Sequence, residues 1–79
     1  MRVEHEKRTV LCEKSFGATV LKVRGLLLVT QEEMAKALKM SPVTINRWEN
    51  GKTEASYLSK KIFLKYCEEQ GLSIEGVFL

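Results

Sequence analysis

TQEEMAKALKMSPVTINRWENGK, residues 30–52, holds two helix starts and one helix stop. Thr30 can accept the orphan N–H of Glu33 while Glu33 reaches back to the N–H of Thr30, the reciprocal pair of a capping box. Ser41-Pro42 is a second start, because Ser is a strong N-cap and Pro fits the first helical turn. Gly51 is the residue best able to take the left-handed conformation that closes a helix. The spacing therefore predicts a short helix from Gln31 and another over residues 42–50, with a tight turn between them.

Met34, Leu38, Met40, Ile45 and Trp48 are apolar where two crossed helices must pack, and Ala35 is small where the second passes closest. Trp48 falls with Ile45 and Met34 and so belongs to the core. Two short helices about a three- or four-residue turn are the helix-turn-helix geometry, here with its core over residues 31–50. Ser41, Pro42, Val43, Thr44, Asn46 and Arg47 fall on the outward side. An idle solvated face usually fills with Lys and Glu. This one carries Ser, Thr, Asn and Arg, side chains that meet phosphates and base edges.

Working outward, Phe16, Val20, Val23 and Leu27 recur at spacings of three and four, which predicts a helix starting between Ser15 and Gly17 and loosening near Leu28. Glu54 or Ser56 starts a longer helix through Gln70, with Leu58, Ile62, Phe63, Tyr66 and Cys67 as its apolar positions and Gly71 as its stop. Ser73-Ile74-Glu75 suggests one last helical turn before Val77-Phe78-Leu79. Residues 1–14 are dense in alternating charge, and Arg8-Thr9-Val10-Leu11-Cys12 is β-prone, a short strand or an extended arm. The expectation is an all-α domain of four to five helices over residues 15–79, preceded by an arm or strand over residues 1–14.

Seventy-nine residues make one small domain, with a thin core that often leans on a partner subunit. Thirteen Lys and Arg against ten Glu, with no Asp, leave a net charge of +3, which suits a polyanionic partner. Cys12 and Cys67 lie far apart outside any C-x-x-C pair, and His5 is the only histidine, so a structural zinc site is out of reach. They read as ordinary thiols in a reducing compartment. No Ser-His-Asp set, P-loop or G-x-G-x-x-G is present, so neither an enzyme nor a cofactor is expected. The uncharged run 25–31 is too short to span a bilayer, and residues 1–8 lack the apolar stretch of a signal peptide. These features predict a cytoplasmic protein without a membrane segment.

Thr30-Gln31-Glu32-Glu33-Met34-Ala35 followed by Ser41-Pro42-Val43-Thr44-Ile45-Asn46-Arg47-Trp48-Glu49-Asn50-Gly51-Lys52 resembles the Xre family, the Cro and phage-repressor type of helix-turn-helix. The family signature T-Q-x-x-L-A … S-x-x-T-I-x-R-W-E-N-G is met nearly in full, and the resemblance covers about residues 16–76. It implies a lambda-repressor-like fold and a sequence-specific transcriptional regulator, a repressor acting as a homodimer on double-stranded DNA. It places the helix over residues 42–50 in the major groove. By position, Pro42, Val43, Asn46 and Arg47 would face bases, and Gln31, Ser41, Thr44, Asn50 and Lys52 would face phosphates. Gln31 would also brace the reading helix, and Arg24 would pair with Glu49 to join the first helix to the third. Leu28 and Lys39 stand where the family usually has Gly. Pro42 and Val43 replace hydrogen-bonding readers, leaving Asn46 and Arg47 as the polar ones.

A second reading keeps the same helix-turn-helix but makes the chain an antitoxin, binding a protein partner through residues 1–14 and regulating its own synthesis. Lys60, Lys61 and Lys65 form a basic cluster on the fourth helix, a solvated face or a further phosphate contact. Arg2, Lys7 and Arg8 could serve a minor-groove arm, but Glu4, Glu6 and Glu13 nearly cancel their charge. Ile74, Val77, Phe78 and Leu79 are the candidate dimer surface.

Overall fold

The computed structural model describes residues 8–76. In chain order these form β1 (Arg8–Leu11), α1 (Phe16–Leu27), α2 (Gln31–Leu38), α3 (Pro42–Glu49), α4 (Tyr57–Glu69) and β2 (Leu72–Glu75). A hydroxyl caps the start of every helix. Ser15 Oγ accepts from the Ala18 N–H at 3.1 Å, and Ser56 Oγ accepts from the Ser59 N–H at 3.1 Å. The capping box at α2 is complete: the Glu33 N–H donates to Thr30 Oγ1 at 3.0 Å, and the Thr30 N–H donates to Glu33 Oε1 at 2.8 Å. Ser41 Oγ accepts from both the Val43 and Thr44 N–H groups, at 3.0 and 3.4 Å.

Two helices end on residues that are not glycine. Leu28 after α1 has φ 57° and Lys39 after α2 has φ 59°, both left-handed. That conformation costs an L-residue with a Cβ about 1–2 kcal/mol. The chain keeps it because the following amides then close each helix: the Val29 N–H reaches the Arg24 carbonyl at 3.2 Å, and the Met40 N–H reaches that of Ala35 at 2.8 Å. Glycine relieves the same strain after α3 and α4, where Gly51 has φ 69° and Gly71 has φ 81°.

The segment expected as a last helical turn is instead a strand. β2 pairs in parallel with β1, Arg8 beside Leu72 and Leu11 beside Glu75. The Arg8 N–H donates to the Gly71 carbonyl at 2.9 Å and the Cys12 N–H to that of Glu75 at 2.8 Å. Gly71 turns the chain back and Gly76, at φ 110°, interrupts it again. Too few residues lie between them to outweigh helix nucleation, whereas β1 offers unpaired backbone groups. Val10 and Leu72 are buried where the strands meet the helices.

Phe16, Val20, Val23, Met34, Ala35, Leu38, Ile45, Trp48, Phe63 and Cys67 form one core with Val10 and Leu72. Within it Phe16 is edge-on to Trp48 at 5.1 Å and to Phe63 at 5.2 Å between ring centroids. Thr19 is buried among these residues. Its Oγ1 donates to the Ser15 carbonyl and accepts from the Glu13 N–H, both at 2.9 Å, which ties the β1–α1 connection to the helix. Leu58, expected in the apolar set of α4, is 66% exposed. It lies in the first turn of α4, ahead of the buried positions Phe63 and Cys67.

Candidate nucleic-acid interface

Helix α3 is fixed along its inner side. Ile45 and Trp48 are buried, and α1 crosses the end of α3 so closely that only a glycine fits. A Cβ at Gly17 would lie 1.7 Å from the carbonyl oxygen of Trp48. The sequence marks Gly17 only as a poor helix residue; its signal is that it sits between Phe16 and Val20 at the start of an apolar face.

The last residue of α3 carries the second constraint. Arg24 Nε donates to Glu49 Oε2 at 2.7 Å and Nη2 to Oε1 at 3.0 Å, a bidentate pair from α1 to α3. The two side chains are 21% and 6% exposed. Arg24 Nη1 also donates to the Val29 carbonyl at 3.2 Å, so one guanidinium holds α3 and the α1–α2 connection together. Hydrogen bonding to Glu49 pushes the guanidinium above its ordinary pKa against the opposing desolvation, and the carboxylate charge adds to the rise.

From Glu49 a line of amides runs outward. Gln31 Nε2 donates to Glu49 Oε1 at 2.8 Å, and Gln31 Oε1 accepts from Asn46 Nδ2 at 3.5 Å. Asn50 Nδ2 donates to Asn46 Oδ1 at 3.1 Å and to the Asn46 carbonyl at 2.9 Å. Gln31, at the first position of α2, thus touches both the buried and the exposed side of α3. The family resemblance implies its bracing role but not its link to Asn46.

The outer side of α3 is open. Pro42, Val43, Asn46 and Arg47 are exposed, Val43 at 56%, and Thr44 is half-buried. Ser41 and Lys52 are exposed at the two ends of the helix. The Arg47 guanidinium has no hydrogen bond or ion pair among the described residues. A cationic fork, a branched apolar side chain and an amide therefore share one solvent-facing surface on a braced helix. Across the described residues no group of His, Cys or Glu is placed to hold a metal ion, and no helix is long and apolar enough to cross a membrane.

Residues 20–58 match the Helix-turn-helix family of the Xre, Cro and phage-repressor type. The chain belongs to that family. The match spans most of α1, both helices of the helix-turn-helix and the start of α4. No curated protein and no solved structure matches the chain. As a member of this family the protein is a DNA-binding regulator, a class whose domain binds rather than catalyses. In this helix-turn-helix protein Lys60 and Lys61 lie on α4, with their ammonium groups over the rings of Phe16 and Tyr57 at 5.9 and 5.4 Å. Val77, Phe78 and Leu79, expected at a dimer surface, lie outside the described residues, as do Arg2, His5 and Lys7 of the N-terminal segment.

Proposed function

We propose that this helix-turn-helix protein is a cytoplasmic, sequence-specific repressor that reads the major groove with the outer face of α3. The observation that carries the reading is the contrast between Arg47, exposed and unengaged, and the helix beneath it, held by Arg24 and Glu49. A guanidinium there can donate two parallel hydrogen bonds to guanine O6 and N7, the commonest specific major-groove contact. Val43 packs on a thymine methyl, Pro42 lies against the groove edge, and Asn46 addresses a neighbouring base. Ser41, Thr44 and Lys52 hold phosphates, which fixes register without reading sequence. One such helix covers too few base pairs for tight specific binding, so the protein acts as a two-fold dimer on half-sites about 34 Å apart.

Binding isotherms on a selected duplex and on a scrambled one, at several salt concentrations, test this. Arg47→Ala loses about 1–3 kcal/mol on the selected duplex and little of that on the scrambled one. Lys52→Ala weakens both alike and lowers the slope of log affinity against log salt by roughly 1. An equal loss on both duplexes for Arg47→Ala makes Arg47 a phosphate clamp and removes the reading. Selection of an asymmetric site bound by a monomer removes the dimer.

A further inference from the structure

We infer that Gln31 and Asn50 are specificity-positioning residues that hold the Asn46 amide in one orientation, and that Asn46 so held selects adenine. This rests on the proposal that Asn46 faces a base. The polarity of the amide line is set at its buried end. A carboxylate only accepts hydrogen bonds, so Glu49 Oε1 requires the NH2 end of Gln31, which donates to it at 2.8 Å. The carbonyl end of Gln31 is thereby turned to Asn46, where it accepts from Nδ2 at 3.5 Å. Asn46 Oδ1 is left to the Asn50 Nδ2, which donates to it at 3.1 Å. Each step leaves one choice to the next, and Arg24 keeps Glu49 in place through its bidentate pair.

The capacity that remains on Asn46 follows by subtraction. An amide has two N–H donors and two carbonyl lone pairs. With one donor engaged by Gln31 and one lone pair by Asn50, Asn46 retains one of each. One donor beside one acceptor is the complement of adenine N7 and N6–H2 in the major groove, whereas guanine presents two acceptors at N7 and O6. A free amide can turn both N–H groups to the two acceptors of guanine; an amide with one N–H already engaged by Gln31 pairs better with adenine. The same arrangement takes Gln31 and Asn50 away from phosphate. Asn50 Nδ2 already serves two oxygens of Asn46, its carbonyl at 2.9 Å and Oδ1 at 3.1 Å.

The test uses the full chain and a selected duplex in which the base pair addressed by Asn46 is replaced in turn by each of the other three. Asn46→Ala identifies that base pair as the one whose replacement no longer matters. The parent prefers adenine there by roughly five- to one-hundred-fold, the span of a bidentate contact. Gln31→Met, which keeps length but removes the amide, brings that preference down several-fold, as does Asn50→Ala. Both leave discrimination at the base pair of Arg47 intact. Equal losses on every duplex, with the preference at that base pair unchanged, make Gln31 a phosphate contact and overturn the inference. A preference for guanine at that base pair overturns it as well. If Asn46→Ala changes preference at no base pair, the base-facing reading of Asn46 itself fails, a result separable from the other two.

Discussion

The inner and outer sides of α3 are built on opposite principles. Inside, Ile45, Trp48 and Glu49 each meet a fitted counterpart: the packed core, the bare backbone of Gly17 and the fork of Arg24. Outside, Val43 and Arg47 are exposed, and the Arg47 guanidinium has no hydrogen bond or ion pair among the described residues. Fixing a helix by its inner side holds its outer side chains to one frame without using any of them. Changes inside should therefore alter stability, and changes outside should alter binding alone. Asn46 and Gln31 are where the two sides communicate.

The severest break in the inner side is Gly17→Ala. In an open helix position this substitution gains up to about 1 kcal/mol, because glycine loses more backbone freedom on folding. Here the methyl would meet the Trp48 carbonyl, which cannot rotate aside, so α1 and α3 must separate. Overpacking against backbone is expected to cost about 3 kcal/mol or more, seen as a lower denaturant midpoint. A variant as stable as the parent would mean that the two helices are not held at this distance.

Arg24→Met comes next. It leaves the Glu49 carboxylate 6% exposed in the parent geometry, with Gln31 as its remaining side-chain partner. The expected loss is about 3 kcal/mol, at the lower end for a broken buried pair because Arg24 itself is partly solvated. Replacing both residues, Arg24→Met with Glu49→Leu, should recover most of that stability while DNA discrimination stays impaired. Recovery of discrimination along with stability would show that the pair supplies rigidity that any packing can replace. On the outer side, Arg47→Ala should leave the unfolding midpoint within about 0.5 kcal/mol of the parent.

The smallest effects sharpen the comparison on α1 and α2. Nothing lies within 4 Å of a Cβ placed on Gly25, so Gly25→Ala should stabilise by about 0.5–1 kcal/mol, opposite in sign to Gly17→Ala in the same helix. Lys39→Gly should also stabilise, by less than about 1 kcal/mol, since relief of the left-handed strain is partly offset by greater freedom in the unfolded chain. Thermal melts of the two variants and their double mutant measure both effects.

The helix-turn-helix was legible because its signals are local. A capping box, a Ser-Pro start and a glycine stop act within a few residues, and the structure places all three where the sequence puts them. The Arg24–Glu49 pairing came from family resemblance, since nothing in the spacing of two residues on separate helices reveals a contact. Three features were hidden because they depend on distant partners. Gly17 needs the approach of Trp48 to acquire meaning, β2 needs β1, and the orientation of Asn46 is decided by a carboxylate that reaches it only through Gln31. Helix-start chemistry at Ser73 was present but was overridden by the unpaired backbone of β1.

The parallel pairing of β1 with β2 joins segments from opposite ends of the described chain, whereas successive helices make contacts closer in sequence. Loop closure over such a separation is the last step that folding entropy favours. The strands then act as a clasp fastened around a helical unit that has already taken shape. Amide exchange would register this as an opening of the clasp: the Arg8 and Cys12 N–H groups, bonded to Gly71 and Glu75, should exchange at a lower free energy than that of Ile45 within the helical core. The packing of the helix-turn-helix would thus survive excursions in which the clasp is undone.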